Sequence, residues 1–331
     1  MITRRKSTTH SNGLLLITLF LLAIISFLLS VSIGSVHLSV TQIIQALTSH
    51  SQNFAHTIMM TLRLPRTVCA FITGGLLALA GALMQTLLRN PLADPYILGI
   101  SGGAAVTSLL GLLLGFGAML GLWALIGSLL AMFLVVMLSN IHRHFSSLRL
   151  LLTGIVIATG FSAIISFILT ISPSQDLRSM LFWLMGDLSY AHFSWWQPIV
   201  LLVGMMMSLL LAKPLNILSR GDLAARSLGI NTHRLNLILY FLASLLTACA
   251  VSIAGSIGFI GLIIPHMLRL LGNADHRFII PGSVLLGGSV LMLADMFART
   301  IAAPAQLPVG IITAIIGVPL FLLLLNRGHR S

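Results

Sequence analysis

Apolar residues follow one another in ten long runs that are separated by short polar stretches. The runs cover residues 13–33, 67–87, 99–116, 118–138, 148–171, 194–212, 235–255, 257–271, 279–297 and 309–326. A helix needs about 20 apolar residues to cross a bilayer. The alternation of apolar and polar residues that marks a membrane β-barrel is absent from these runs. The pattern therefore predicts an all-α membrane protein, a polytopic bundle of about ten transmembrane helices.

The first run has features of a signal peptide, because Arg4, Arg5 and Lys6 precede it. The run over 13–33 is longer than the apolar region of a typical signal peptide, and no clear A-x-A cleavage site follows it. We therefore expect a first transmembrane helix that stays attached to the chain.

Composition narrows the class of protein further. Apolar residues make up 57% of the 331 residues and charged residues only 7%, whereas a soluble domain has about 45–50% and about 25%. This excludes a soluble enzyme and a disordered segment. The net charge of +12 would suit a nucleic-acid partner. However, the basic residues lie at the ends of apolar runs, and we expect no nucleic-acid partner. Cys69 and Cys249 lie inside runs and are interpreted as packing residues.

The basic residues also predict the orientation of the bundle, since short cytoplasmic loops are enriched in Lys and Arg. With the N-terminus in the cytoplasm and ten crossings, fourteen of the 18 Lys and Arg residues lie inside. The residues left outside are Arg63, Arg66, Arg178 and Arg299. Both termini are therefore predicted to be cytoplasmic.

Two polar loops are each predicted to contain a short helix. The outer loop after the fifth run has Ser174 as an expected N-cap and Gly186 as the residue that ends the helix. Its apolar stripe, suited to the membrane surface or to neighbouring helices, consists of Leu177, Met180, Leu181 and Leu184.

The inner loop over 213–233 is the longest and most basic inner loop. Asp222 is the expected N-cap of a two-turn helix over Leu223–Leu228, and Gly229 the residue that follows its end. This helix has nothing of its own chain to pack against on the water side. The loop therefore predicts a cytoplasmic partner, the alternative being a simple connector.

Nucleotide-binding and catalytic patterns are missing from the sequence. No GxxxxGK[ST] motif occurs, and no set of acid, base and nucleophile stands out. Asp295 and Arg299 form an expected i,i+4 ion pair near the outer end of the ninth run. His142 and His144 lack a third ligand, and no metal site is predicted. We expect no enzymatic activity and no cofactor bound by this chain.

Four stretches then resemble one family. They read RLPRT at 63–67, NPLADPYILGIS at 90–101, ARSLGI at 225–230, and GFIGLIIPHMLRLLGNADHR, LADMFAR and QLPVG within 258–310. In this order they resemble the permease subunits of type II ABC importers, the FecCD-type family that carries ferric siderophores, haem and cobalamin. The resemblance covers about residues 55–326.

The resemblance implies a single transmembrane permease domain over 1–331 in the bacterial inner membrane. It implies a homodimer or paired homologous permeases, two ATP-binding cassette subunits that hold ATP-Mg, and a periplasmic substrate-binding protein. The path would follow the dimer axis, lined mainly by the fifth and tenth helices.

Site residues follow from the same resemblance. Asn90 and Leu92, with Ser146 and Ser147, are implied as a cytoplasmic gate, and ordinary capping is the alternative. Arg63, Arg66 and Arg299 are implied to dock carboxylates of the binding protein. Here the alternative is anchoring, with Arg299 paired to Asp295 and Arg63 or Arg66 on lipid phosphate. The implied ATPase-coupling residues are Asp222, Leu223, Ala224, Arg226, Leu228 and Gly229.

The predicted function is therefore the permease subunit of an ATP-driven importer. Ferric siderophore is the first expected cargo, followed by haem and cobalamin. A secondary transporter or channel is the alternative, although the inner-loop helix would then have no purpose. An intramembrane enzyme is disfavoured by the missing catalytic residues.

Overall fold

The computed structural model describes residues 5–36, 39, 41–42, 54–139, 147–189, 191–271 and 274–328, and within them regular secondary structure is helical throughout. A π-helical turn, Ile58–Arg63, and two 3₁₀ turns, Pro95–Leu98 and Gly117–Met119, accompany the α-helices. The α-helices are α1 (Arg5–Ser32), α2 (Phe54–Thr57), α3 (Leu64–Leu87), α4 (Ile100–Leu113), α5 (Leu120–Ser139), α6 (Ser147–Ile171), α7 (Ser174–Leu184), α8 (Trp196–Leu210), α9 (Ala212–Leu218), α10 (Asp222–Ser227), α11 (Thr232–Ala254), α12 (Ile260–Leu270), α13 (His276–Thr300) and α14 (Val309–Gly328).

The helices confirm the all-α membrane bundle. Within the described residues, six helical stretches are long and apolar enough to cross a bilayer, and α8 with α9 forms a seventh that is bent by 59°. Three shorter apolar helices, Ile100–Leu113, Ile260–Leu270 and Val309–Leu323, correspond to the remaining runs. The ten predicted spans are thus matched in order, although α4 and α12, with 14 and 11 residues, are too short to cross as straight helices.

Helix α3 lies at the centre of the bundle, and 89% of the most apolar stretch of its span is buried. It packs on α13 and α12 through glycines. A Cβ atom added to Gly74 would lie 2.3 Å from the carbonyl oxygen of Gly287, and one added to Gly81 would lie 1.8 Å from that of Gly261. Small residues permit this backbone-to-backbone contact between membrane helices.

Helix α6 lies at the other extreme, because only 11% of its most apolar stretch is buried. Four exposed hydroxyls lie along it, and each donates to the carbonyl oxygen four residues earlier. The hydroxyls belong to Thr159, Ser162, Ser166 and Thr170. One long face of α6 therefore has no partner within the described part of the chain.

The predicted outer-loop helix is present as α7. Met180 is fully buried and packs with Leu109 and Ile168, and Leu184 packs beside them. Leu181 of the same stripe is exposed, so only part of the stripe faces neighbouring helices. The N-cap prediction is wrong: Pro173 takes the extended capping position, which leaves Ser174 as the first helical residue. Gly186 follows the end of the helix with φ +78°.

Helix α1 packs against α13 and contacts α3. Its Leu19 side chain reaches the neighbourhood of Gly282 in α13. Cys69 and Cys249 are both free and buried, which agrees with their interpretation as packing residues.

Candidate coupling, gate and arginine sites

Polar contacts concentrate at the two opposite ends of the bundle. At one end, which we call the Arg89 end, the turn after α3 meets α9, α10 and the polar residues around the start of α13. At the other, the Asp295 end, the first turn of α3 meets α1 and the last part of α13. The candidate sites divide between these ends.

Helix α10 at the Arg89 end is the predicted coupling helix, shifted by one residue. Gly221, with φ +115°, occupies the N-cap position, and Asp222 is the first helical residue. The prediction that Asp222 caps the helix is therefore wrong, because its carboxylate forms an ion pair with Arg89 instead. Leu228 is the C-cap, and Gly229 has φ +79° as predicted.

The faces of α10 differ sharply in exposure. Leu223 is 85% exposed and Leu228 67% exposed, whereas Ala225 is fully buried and Ala224 is half-buried. Arg226 donates from Nε to Thr232 Oγ1 at 3.2 Å, which ties α10 to the start of α11. The helix is thus anchored on one side and presents two large apolar side chains on the other.

The turn that holds the gate candidates follows α3. The side-chain oxygen of Asn90 accepts a hydrogen bond from the Leu92 N–H (2.9 Å), so the capping that was the alternative for Asn90 is observed. Ser146 lies outside the described residues, and Ser147 begins α6 with a side chain that is not described. The joint gate of these residues stays a prediction.

Asp94 lies in the same turn and accepts a hydrogen bond from the Tyr96 N–H (2.8 Å). Burial raises the pKa of its carboxyl to about 6, although this hydrogen bond opposes the change. An aspartate in an unfolded chain has a pKa of about 3.9. The folded chain therefore binds this proton more tightly, and the contribution of Asp94 to stability falls as the pH rises from about 4 to about 6.

We expect Asp94→Asn to remove that fall while keeping the acceptor oxygen for Tyr96. The difference in thermal midpoint between Asp94→Asn and the parent chain should grow from pH 4 to pH 6 and then level off. Asp176→Asn, in a half-buried position on α7, is the control. A constant difference over this pH range would contradict the prediction.

A polar network at the Arg89 end was missed by the sequence analysis. Asn216 in α9 donates from Nδ2 to Asp275 (2.7 Å), and its oxygen accepts from the His276 N–H (2.9 Å). The His276 ring makes two hydrogen bonds. Its Nδ1 is 2.7 Å from Asn216 Oδ1, and its Nε2 is 2.8 Å from Thr86 Oγ1. The sequence signal available was Asp275, a standard N-cap residue directly before a helix.

A buried ion cluster occupies the Asp295 end. Asp295 is 0% exposed, and its carboxylate is 2.8 Å from Arg66 Nη2 and 2.9 Å from Arg299 Nε. The predicted i,i+4 pair is thus present, but α3 contributes a second guanidinium. Arg299 also donates to the carbonyl and hydroxyl oxygens of Ser30 in α1 (both 3.0 Å). The carboxylate thus joins α3 to α13, and Arg299 extends the cluster to α1.

The other contacts of the predicted docking arginines are also internal. Arg66 donates to Gln306 at 2.7 Å. Arg63 is 4% exposed and donates to carbonyl oxygens at the end of α1, including that of Ser32 (2.7 Å). The Arg299–Asp295 pair of the anchoring alternative is thus present, and Arg63 and Arg66 contact protein groups. The docking role of the three arginines stays a prediction.

The described helices form a multi-pass membrane bundle. The chain belongs to the FecCD transport family, whose model matches residues 21–327. It is a multi-pass membrane permease of the type II ABC importer class.

Known relatives share most of the length of the chain. It is 37% identical to the uncharacterized ABC transporter permease protein YvrB of Bacillus subtilis (strain 168), over 93% of this chain and 92% of that protein. It is 40% identical to the vitamin B12 import system permease protein BtuC of Escherichia coli O127:H6, over 81% and 83%.

Solved structures agree with this assignment. A chain described as a metal-chelate type ABC transporter in an inward-facing conformation superposes with a TM-score of 0.82 at 34% identity, over 95% of this chain and 99% of that one. A chain of PsaBC from Streptococcus pneumoniae in complex with Fab has a TM-score of 0.57 at 17% identity, over 86% and 94%. The latter likeness supports the fold alone.

Proposed function

We propose that this chain is the transmembrane permease subunit of an ATP-driven importer that moves a metal chelate from the periplasm to the cytoplasm. The observation that carries the proposal is α10, a short helix anchored through Ala225 and Arg226 that exposes Leu223 and Leu228 to solvent. An exposed apolar pair of this kind suits a protein partner. That partner is the ATP-binding cassette subunit, which holds ATP-Mg.

The Arg89 end is assigned to the cytoplasm. Lys213, Arg220, Arg226 and Arg234 lie in or beside the loops of this end, and short cytoplasmic loops are rich in basic residues. We propose that both chain termini lie in the cytoplasm and that the membrane is the bacterial inner membrane. The Asp295 end then faces the periplasm, where Arg63, Arg66 and Arg299 would meet carboxylates of a substrate-binding protein by exchanging internal contacts.

The assembly is proposed to contain two permeases, either identical or homologous, with two cassette subunits. The exposed face of α6 supports the pairing, because a stripe of hydroxyls is better placed against a second chain or a polar path than against lipid. The path then runs between the two chains, with α6 and α14 on its walls.

Ferric siderophore is the first proposed cargo, supported by the likeness to a chain described as a metal-chelate type transporter. Cobalamin is the second, because relatives of up to 41% identity are vitamin B12 permeases. Haem is the third. The test is uptake of labelled ferric siderophore, cobalamin and haem by a strain that lacks this gene, with and without the gene restored.

A biochemical experiment separates the importer from a secondary transporter or channel. The tagged permease is purified together with its candidate cassette subunits and reconstituted in liposomes. Stable co-purification and uptake that requires ATP support the proposal. Uptake driven by an ion gradient without ATP would overturn it.

We expect Gly229→Val to uncouple ATP hydrolysis from transport. A left-handed conformation costs a residue with a Cβ atom about 1–2 kcal/mol, although the space around Gly229 is open. The end of α10 should therefore shift, and hydrolysis should lose its stimulation by the loaded binding protein while the bundle still folds. Gly117→Val, at a glycine with ordinary φ, is the control. Normal transport by Gly229→Val would show that this conformation does not matter for coupling.

A further inference from the structure

The last turn of α3 is connected by side chains to α10, the helix assigned to the cassette subunit. Arg89 lies two residues after the end of α3, and its guanidinium pairs with Asp222, the first residue of α10. Asn90, which organises the predicted gate turn, is the next residue in the chain. A single residue thus contacts the coupling helix through its side chain and the gate turn through its backbone.

The backbone of Arg89 is unusual for its residue type. Its φ of +48° lies in the left-handed region, which costs a non-glycine residue free energy. Conformations of this kind persist where the surrounding structure determines them. Here the ion pair on one side and the hydrogen bond from the Asn90 N–H to the Gln85 carbonyl (3.2 Å) on the other hold the residue.

A second connection runs through α9, which leads into α10 after three residues. Asn216 in α9 contacts the His276 ring, and that ring contacts Thr86 in the last turn of α3. Gln85, the neighbour of Thr86, donates to the carbonyl oxygen of Leu262 in α12 (2.9 Å). Side chains at the end of α3 are therefore fixed to α9, α12 and α13, while Arg89 contacts α10.

We infer that Arg89 is a positioning residue for coupled transport: through its ion pair with Asp222 it passes a displacement of α10 to the gate turn that begins at Asn90. The inference rests on the proposed function, in which a cassette subunit moves α10. The Thr86–His276–Asn216 contacts hold the end of α3 to α13 and α9, so these helix ends stay in place while α10 moves.

If the Arg89–Asp222 pair had only a structural role, its removal would change little, because the pair contributes little to stability. The two side chains are 35% and 38% exposed, and exposed ion pairs contribute little to stability. Removal of Arg89 should therefore leave folding and cassette binding intact and should lower the amount of cargo transported per ATP hydrolysed.

A double-mutant cycle tests the inference on the full complex in liposomes with a loaded binding protein. The variants are Arg89→Ala, Asp222→Ala and the two combined, with Arg234→Ala as a control that removes an exposed arginine at the same end. The measured quantities are cargo transported per ATP hydrolysed, cassette subunits retained and the thermal midpoint. The cycle subtracts any direct contact between Asp222 and the cassette subunit.

We expect Arg89→Ala to lower transport per ATP by about tenfold, at an unchanged thermal midpoint and with cassette subunits retained. The double variant should be no worse than Asp222→Ala alone, because each residue acts through the other. Additive losses, or wild-type coupling in Arg89→Ala, would overturn the inference. Failure of the parent chain to retain cassette subunits would instead overturn the proposed function, so the two failures are distinguishable.

Discussion

Replacing Asp295 with asparagine should destabilise the chain by about 3–5 kcal/mol, the usual cost of removing one partner from a buried ion pair. Asparagine keeps the shape of the side chain but removes its charge. The guanidiniums of Arg66 and Arg299 would then share a buried site without a carboxylate. Since these groups join α1, α3 and α13, the loss should affect the whole Asp295 end.

The measurement is the thermal midpoint and the yield of folded protein in detergent, compared with Asp176→Asn on α7. Combining Asp295→Asn with Arg299→Gln should recover part of the loss, because one of the two unpaired charges is removed as well. An Asp295→Asn variant that unfolds at the parent midpoint would show that water or lipid headgroups already screen this cluster.

Replacing Gly81 with alanine should prevent α3 from packing against α12. The added Cβ atom would lie 1.8 Å from the carbonyl oxygen of Gly261, and a backbone atom cannot move aside as a flexible side chain can. Overpacking usually costs about 1–3 kcal/mol and occasionally more; this position belongs at the upper end because α3 is the central helix.

Gly160→Ala on the exposed face of α6 is the matched control, since nothing lies within 4 Å of the added atom. In a helix interior, alanine is favoured over glycine by about 1 kcal/mol, so the control should fold at least as well as the parent. Folded yield and resistance to proteolysis distinguish the two variants. A Gly81→Ala protein as stable as the control would mean that α3 and α12 are further apart than the structure places them.

The spans could be predicted from the sequence because a membrane helix is encoded locally, in the length and composition of one run. Local rules also worked for Gly186 and Gly229, where a left-handed residue follows a short helix. They failed at Ser174 and Asp222, since several neighbouring residues can cap a helix and the final choice depends on contacts elsewhere.

Contacts between distant residues could not be predicted in this way. The Asp295–Arg299 pair follows from i,i+4 spacing, but Arg66 is 229 residues away in sequence. Arg89 is one of the fourteen basic residues predicted to lie on the cytoplasmic side, and the sequence predicts no partner for it. Its partner, like that of His276, depends on which helix ends meet, and no periodicity in one chain reports that.

The hydroxyls of α6 would bind a transported solute only weakly. The hydroxyl hydrogens of Thr159, Ser162, Ser166 and Thr170 are donated to backbone carbonyls of the helix. These side chains therefore offer a passing molecule oxygen lone pairs, and the two threonines also offer methyl groups. Such a surface is readily hydrated but binds a solute weakly. Fast transport requires that no site along the path bind the solute tightly. In the proposed path between two permeases, selection at the entrance and release at the exit would then matter more than recognition by α6.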